Sequence, residues 1–93
     1  MDLSRYRLTD LSQLDPFKEQ MGEKQYYEYA FSVYRQLARL EPGNKFSITK
    51  YVKEKNMDLF VKIVCMYMID FPGQVVFNDD FTEITKNADI RKG

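Results

Sequence analysis

Glu41-Pro42-Gly43-Asn44-Lys45-Phe46-Ser47-Ile48-Thr49 holds a helix stop, a short strand and a helix start in immediate succession. Pro42 cannot continue a helical hydrogen-bond ladder, and Gly43 accepts the left-handed turn that closes one. Lys45 to Ile48 alternates polar and apolar residues, which predicts a short strand with Phe46 and Ile48 facing inward. Ser47 or Thr49 then offers a side-chain oxygen to the free amides of the next helix. A second pair, Pro72-Gly73, breaks the chain again further on. The two breaks set the order helix, short strand, helix, helix, β-hairpin.

Upstream of Glu41, Ala30, Val33, Tyr34, Leu37 and Leu40 recur at helical spacing, while Glu28, Arg35 and Arg39 fall off the stripe. A first helix is therefore expected from Lys24 to Leu40. The arm before it, residues 1–23, carries Leu3, Leu8, Leu11, Leu14, Phe17 and Met21 three to five residues apart. That spacing suits helical turns lying on something else. Asp15-Pro16 reads as a helix start, with the Asp15 carboxylate as cap and Pro at the first helical position, and Gly22 as its stop.

Downstream of Thr49, a second helix is expected to run to about Lys55, with Tyr51 and Val52 as anchors and Lys50, Lys53 and Lys55 outward. Asn56-Met57-Asp58 reads as the turn, and Asp58 as the cap of a third helix from Leu59 to about Asp70. Gln74 to Asn78 and Phe81 to Lys86 flank Asp79-Asp80 as a tight hairpin. A two-residue loop there pairs Phe77 with Thr82 and Val75 with Ile84. Residues 24–86 thus form the domain, and the tail 87–93, without apolar periodicity, is expected to fray.

From Tyr29 to Lys86 this order resembles the winged helix-turn-helix superfamily. The resemblance rests on the first helix ending in Leu37 and Leu40, the strand Lys45-Phe46-Ser47-Ile48, the helix pair Thr49 to Asp70, and Phe71-Pro72-Gly73-Gln74-Val75 leading into the hairpin. It implies a mainly α fold with a small β-hairpin, and a third helix that enters a DNA groove beside the wing. A four-helix arrangement is the alternative fold.

Composition limits what such a fold can bind. Ninety-three residues make one domain, and seven Tyr with seven Phe predict an aromatic-rich core. Fourteen basic side chains balance 14 acidic ones, so no overall basic excess draws the chain to phosphate. Asp79 and Asp80 at the wing tip would meet a nucleic-acid backbone with like charge. The single Cys65, in an apolar run, fits a reducing cytoplasm, and the opening residues lack a secretory signal. Leu59 to Ile69 is the longest apolar stretch, is interrupted by Lys62 and is too short for a membrane span.

No histidine, Gly-rich phosphate loop or Cys/His cluster occurs, so neither catalysis nor a cofactor, metal or small-molecule substrate is expected. Asp79-Asp80 reads as turn residues. The third helix is apolar nearly all round, with Val61, Cys65, Met68 and Ile69 outside the inward stripe. Something must cover it. One cover is the chain's own arm, through Leu8, Leu11, Leu14 and Phe17. The other is a second copy or partner protein, with Val61, Cys65, Met68, Leu11, Leu14 and Phe17 as the interface. The alternative function is DNA binding, with Thr49, Lys50, Lys53, Lys55, Asn56 and Lys62 against the phosphates.

Overall fold

A computed structural model describes residues 2–87 of the chain. The arm begins with two 3-10 turns, Ser4–Tyr6 and Leu11–Leu14, and continues into helix α1, Asp15–Met21. Helix α2 spans Glu23–Arg39, strand β1 Lys45–Ser47, helix α3 Ile48–Tyr51, helix α4 Glu54–Asp70, and strands β2 and β3 Val75–Phe77 and Glu83–Lys86. The order helix, short strand, helix, helix, hairpin is the one the sequence predicts. The strands make one antiparallel sheet in the order β1-β3-β2. No described helix is long and apolar enough to cross a membrane.

Helix α2 matches its expected span within a residue at each end. Tyr26, Ala30, Val33 and Leu37 are its buried side. Its last carbonyls do not go begging: the buried Lys86 ammonium, arriving from β3, donates to the Leu37 carbonyl at 2.8 Å and the Ala38 carbonyl at 3.2 Å. A cation at a helix C-terminus also meets the negative end of the helix dipole. Gly43 has φ +88° in the turn that follows, as the Pro-Gly reading requires.

Helix α1 starts at Asp15 and stops at Gly22, which has φ +85°. The cap differs from expectation. Asp10, not Asp15, accepts from an amide, that of Ser12, while the Gln13 side chain accepts from the Asp10 amide. This reciprocal pair caps the preceding 3-10 turn, and α1 inherits its direction from that turn without a side-chain cap of its own.

The helix pair departs further. The second helix is only Ile48–Tyr51, with Ser47 accepting from the Lys50 amide at 3.3 Å, and Val52 and Lys53 are extended. The third helix starts at Glu54, so Asn56-Met57-Asp58 lies inside it and is no turn. Met57 belongs to the same buried face as Phe60, Val61 and Val64, three, four and seven residues on. Burying Met57 requires helical backbone there. Asp58 caps nothing, and instead pairs one turn ahead with Lys62.

The hairpin pairs Val75 with Lys86 and Phe77 with Ile84, two residues away from the expected register. The faces are unchanged because the strand period is two. The longer loop follows from local hydrogen bonds: Asp80 accepts from the Thr82 hydroxyl at 2.6 Å, and Asn78 accepts from the Glu83 amide at 2.9 Å. These Asx contacts outcompete the tight turn. Phe81 takes φ +60° in this loop and stacks on Phe77 with ring centroids 4.2 Å apart.

Asn87, the first residue of the expected frayed tail, is tied down by its amide to the Gln74 carbonyl and its side chain to the Gly73 carbonyl. The rest of that tail lies outside the described residues. The core gathers Leu3 and Leu14 of the arm, the α2 stripe, Ile48, most of α4, Val75 and Ile84.

Candidate functional site

The first turn of the arm, in cis, covers part of α4, while α1 packs on α2 and Ile69 of α4 stays exposed. Leu3 is buried, and its amide donates to the Asp80 carbonyl of the hairpin loop at 2.7 Å. The Lys62 ammonium donates to the Tyr6 carbonyl at 3.0 Å, lies 5.6 Å from the Tyr6 ring and pairs with Asp58. Cys65 lies half-buried beside the arm, and burial pushes its thiol pKa up, with the Leu8 backbone acting weakly the other way. That thiol is a poor nucleophile at neutral pH.

This placement sorts the expected interface residues. Val61, at 0% exposure, and Leu14 are core, which removes them from any outer interface. Cys65, Met68 and Phe17 are partly buried and pack against that core. Leu11 alone of the set stands free, at 60% exposure.

The nucleic-acid set divides as well. Lys62, expected to point outward, is only 8% exposed and fully engaged, so it is not offered to a phosphate. Its long stem lets it bury among apolar groups once the arm supplies a carbonyl for the charge. Thr49, Lys50, Lys53 and Lys55 are exposed and Asn56 is half-buried, with the exposed Glu54 in their midst. Lys50 lies over the Tyr51 ring at 5.4 Å.

A different face remains open. On α2, Tyr27, Phe31, Tyr34 and Ala38 recur at i, i+4, i+7 and i+11, about a third of a turn from the buried stripe. Phe31 is 63% exposed. The track runs into a groove of about 1020 Å³ between the C-terminal ends of α2 and α4, closed by Leu40, Pro42 and Pro72. Its floor is aromatic: Tyr34 meets Tyr67 edge to face at 5.1 Å, and Phe71 lies 4.9 Å from Tyr67 and 6.4 Å from Tyr34.

The floor's polar tips are already spent. Tyr34 donates its hydroxyl to Asp70 at 2.6 Å, and Tyr67 donates to Gln74 at 2.5 Å. Burial, then the Asp70 hydrogen bond and charge, raise the Tyr34 pKa far above its usual range, and burial raises that of Tyr67. Both phenols stay protonated at neutral pH. No described group of three or more His, Cys, Asp or Glu could hold a metal ion. The groove offers apolar area and the guanidinium groups of Arg35 and Arg39 on its rim.

The sequence places Tyr34 on the stripe of Ala30, Val33 and Leu37, whereas the structure leaves it half-buried at the border between that stripe and the open face. The separating signal is angular: residues 27, 31, 34 and 38 share one side that Ala30, Val33 and Leu37 do not. Comparison of the chain with protein-family models, with curated proteins and with solved structures finds no match.

Proposed function

We propose that this protein is a non-catalytic protein-interaction module whose binding face is the α2 track and the groove it enters. One observation carries the reading: exposed Tyr27, Phe31 and Ala38 lie on a single helical face with half-buried Tyr34, and that face opens into an aromatic-floored groove. Contiguous exposed apolar surface of this kind marks binding sites in folded proteins. Residues 27 to 38 span about 16 Å of helix axis, the reach of three turns, which suits a partner helix laid alongside.

The face differs from the one the sequence favours, because the start of the arm already occupies part of the apolar surface of α4 and leaves Ile69 as its exposed apolar side chain. The winged-helix order of elements favours a place in regulatory or DNA-associated assemblies. The face that such domains usually turn to a groove lies partly under Tyr6 here, which favours a protein partner over a base-reading role.

A displayed random-peptide library selected against the full chain tests the proposal. The expected binders carry apolar anchors at helical spacing, and Phe31→Asp weakens them about tenfold or more while leaving the circular dichroism melt unchanged. Binders indifferent to both Phe31→Asp and Ala38→Glu would overturn it.

A further inference from the structure

We propose that the occupant of this groove is an amphipathic helix of a partner protein bearing carboxylates along one border, an inference that rests on the groove reading above. The reason is the charge left over at the rim. Lys86 spends its ammonium on the Leu37 and Ala38 carbonyls, and Asp70 accepts the Tyr34 hydroxyl. Arg35 and Arg39, four residues apart and both exposed, have no ion pair among the described residues. The carboxylates of the lining are Glu41 and Asp70, and Asp70 keeps its charge because the hydroxyl it accepts is neutral. Arg35, Arg39 and Lys86 therefore set three cations against two carboxylates, and the two guanidinium groups are the exposed cations among them.

The arginines also stand where a border contact needs them. They line the groove and, on their other side, a shallower depression with Ser32, Gln36 and Phe46. They form the ridge between the two. On the helical projection Arg35 lies just beyond Phe31 and Ala38, on the side away from α4, and Lys24 lies on the same border three turns earlier. Glu28 is the acidic residue of that border. A partner helix seated on the track brings one flank over Arg35 and Arg39, where a carboxylate accepts two parallel N–H bonds from a planar fork. A lysine on that flank would meet like charge as the contact excludes water. The apolar floor, with its phenol tips engaged, suits leucine or phenylalanine anchors better than phosphates.

Three synthetic helical peptides with identical leucine and phenylalanine anchors, and glutamate, glutamine or lysine along one border, test this against the full chain by fluorescence anisotropy. The glutamate peptide is expected to bind about tenfold tighter than the lysine peptide, with glutamine between. Raising salt to about 0.5 M narrows the spread. Arg35→Glu with Arg39→Glu reverses the order, while Arg35→Gln with Arg39→Gln abolishes the preference and keeps the melt. Equal binding by all three peptides, abolished by Phe31→Asp, would overturn the charge assignment and leave the groove reading standing. No binding by any peptide, with no binders from the displayed library, would remove both. A dimer of the free protein broken by Phe31→Asp would make a second copy the occupant and overturn the proposal. A single-stranded oligonucleotide bound in a Phe31-dependent way would overturn it equally.

Discussion

Helices α2 and α4 have the same length, 17 residues, and opposite fates. Helix α4 buries eight side chains and packs against α2, α3 and the first turn of the arm, whereas α2 buries four and leaves Tyr27 and Phe31 in solvent. The more apolar helix is the internal one. The exposed aromatic track sits instead on the helix whose sequence is the more plainly amphipathic. An apolar surplus on a helix in the middle of a chain therefore says that a cover exists, and a 23-residue arm upstream is long enough to be that cover.

The same charge placed on each helix should separate them most. Val61→Asp places a carboxylate with no partner at a site of 0% exposure, and the chain is expected to lose about 3–5 kcal/mol, a large part of the stability of a domain of this size. Phe31→Asp, on the solvent side of α2, is expected to change stability by no more than about 0.5 kcal/mol. Urea titration by circular dichroism reads both. Equal losses would mean that the α2 track is not free surface.

The arm supplies the next test. Leu3 is 2% exposed and stands at the far end of the cover, where its amide reaches the β2–β3 hairpin loop. Leu3→Ala is expected to cost about 2–4 kcal/mol and to raise binding of an apolar dye, since the cavity lies over α4 rather than within a single element. A loss below about 0.5 kcal/mol would show the arm to be a loose attachment, and α4 would again need an outside partner.

Local preference decides some segments of the chain and tertiary contact decides others. Pro42-Gly43, the alternation at Lys45 to Ile48 and the Ser47 cap were readable because each is a local backbone preference, and local preferences decided those positions. The start of α4 was not. Asn56 and Asp58 resemble turn residues by type, but the burial of Met57 is a tertiary demand that overrides them. The hairpin register slipped by two because Asn78 and Asp80 make side-chain bonds that a count of loop residues does not include. Lys62 read as outward because lysine usually is, and the carbonyl that engages it belongs to Tyr6, 56 positions earlier. Of the candidate site, the surplus on α4 and the arm as one possible cover are visible in the sequence, but the track on α2 is not, because Tyr34 shares helical spacing with the buried stripe as well as with Phe31 and Ala38.

The tie between the two helices gives the smallest expected effect and a definite sign. Tyr34 of α2 donates to Asp70 at the end of α4, and burial followed by that hydrogen bond raises the phenol pKa above its unfolded value of about 10. A raised folded-state pKa means the native protein holds the proton more tightly than the unfolded chain does. The contribution is therefore whole below about pH 10 and is lost progressively as pH climbs from there toward the folded-state pKa. Tyr34→Phe removes one hydrogen bond to a charged group and is expected to cost about 1 kcal/mol near pH 7. Because the variant has no Tyr34 proton to lose, its stability should fall less steeply above about pH 10, and the gap from the parent protein should close by about pH 11. Burial raises Tyr26, Tyr29 and Tyr67 in the same direction, so the variant keeps a residual alkaline decline rather than a flat profile. Urea midpoints across this range read the difference in slope. Parallel curves for the two proteins would mean that the α2–α4 tie does not hold its proton in the way the geometry requires.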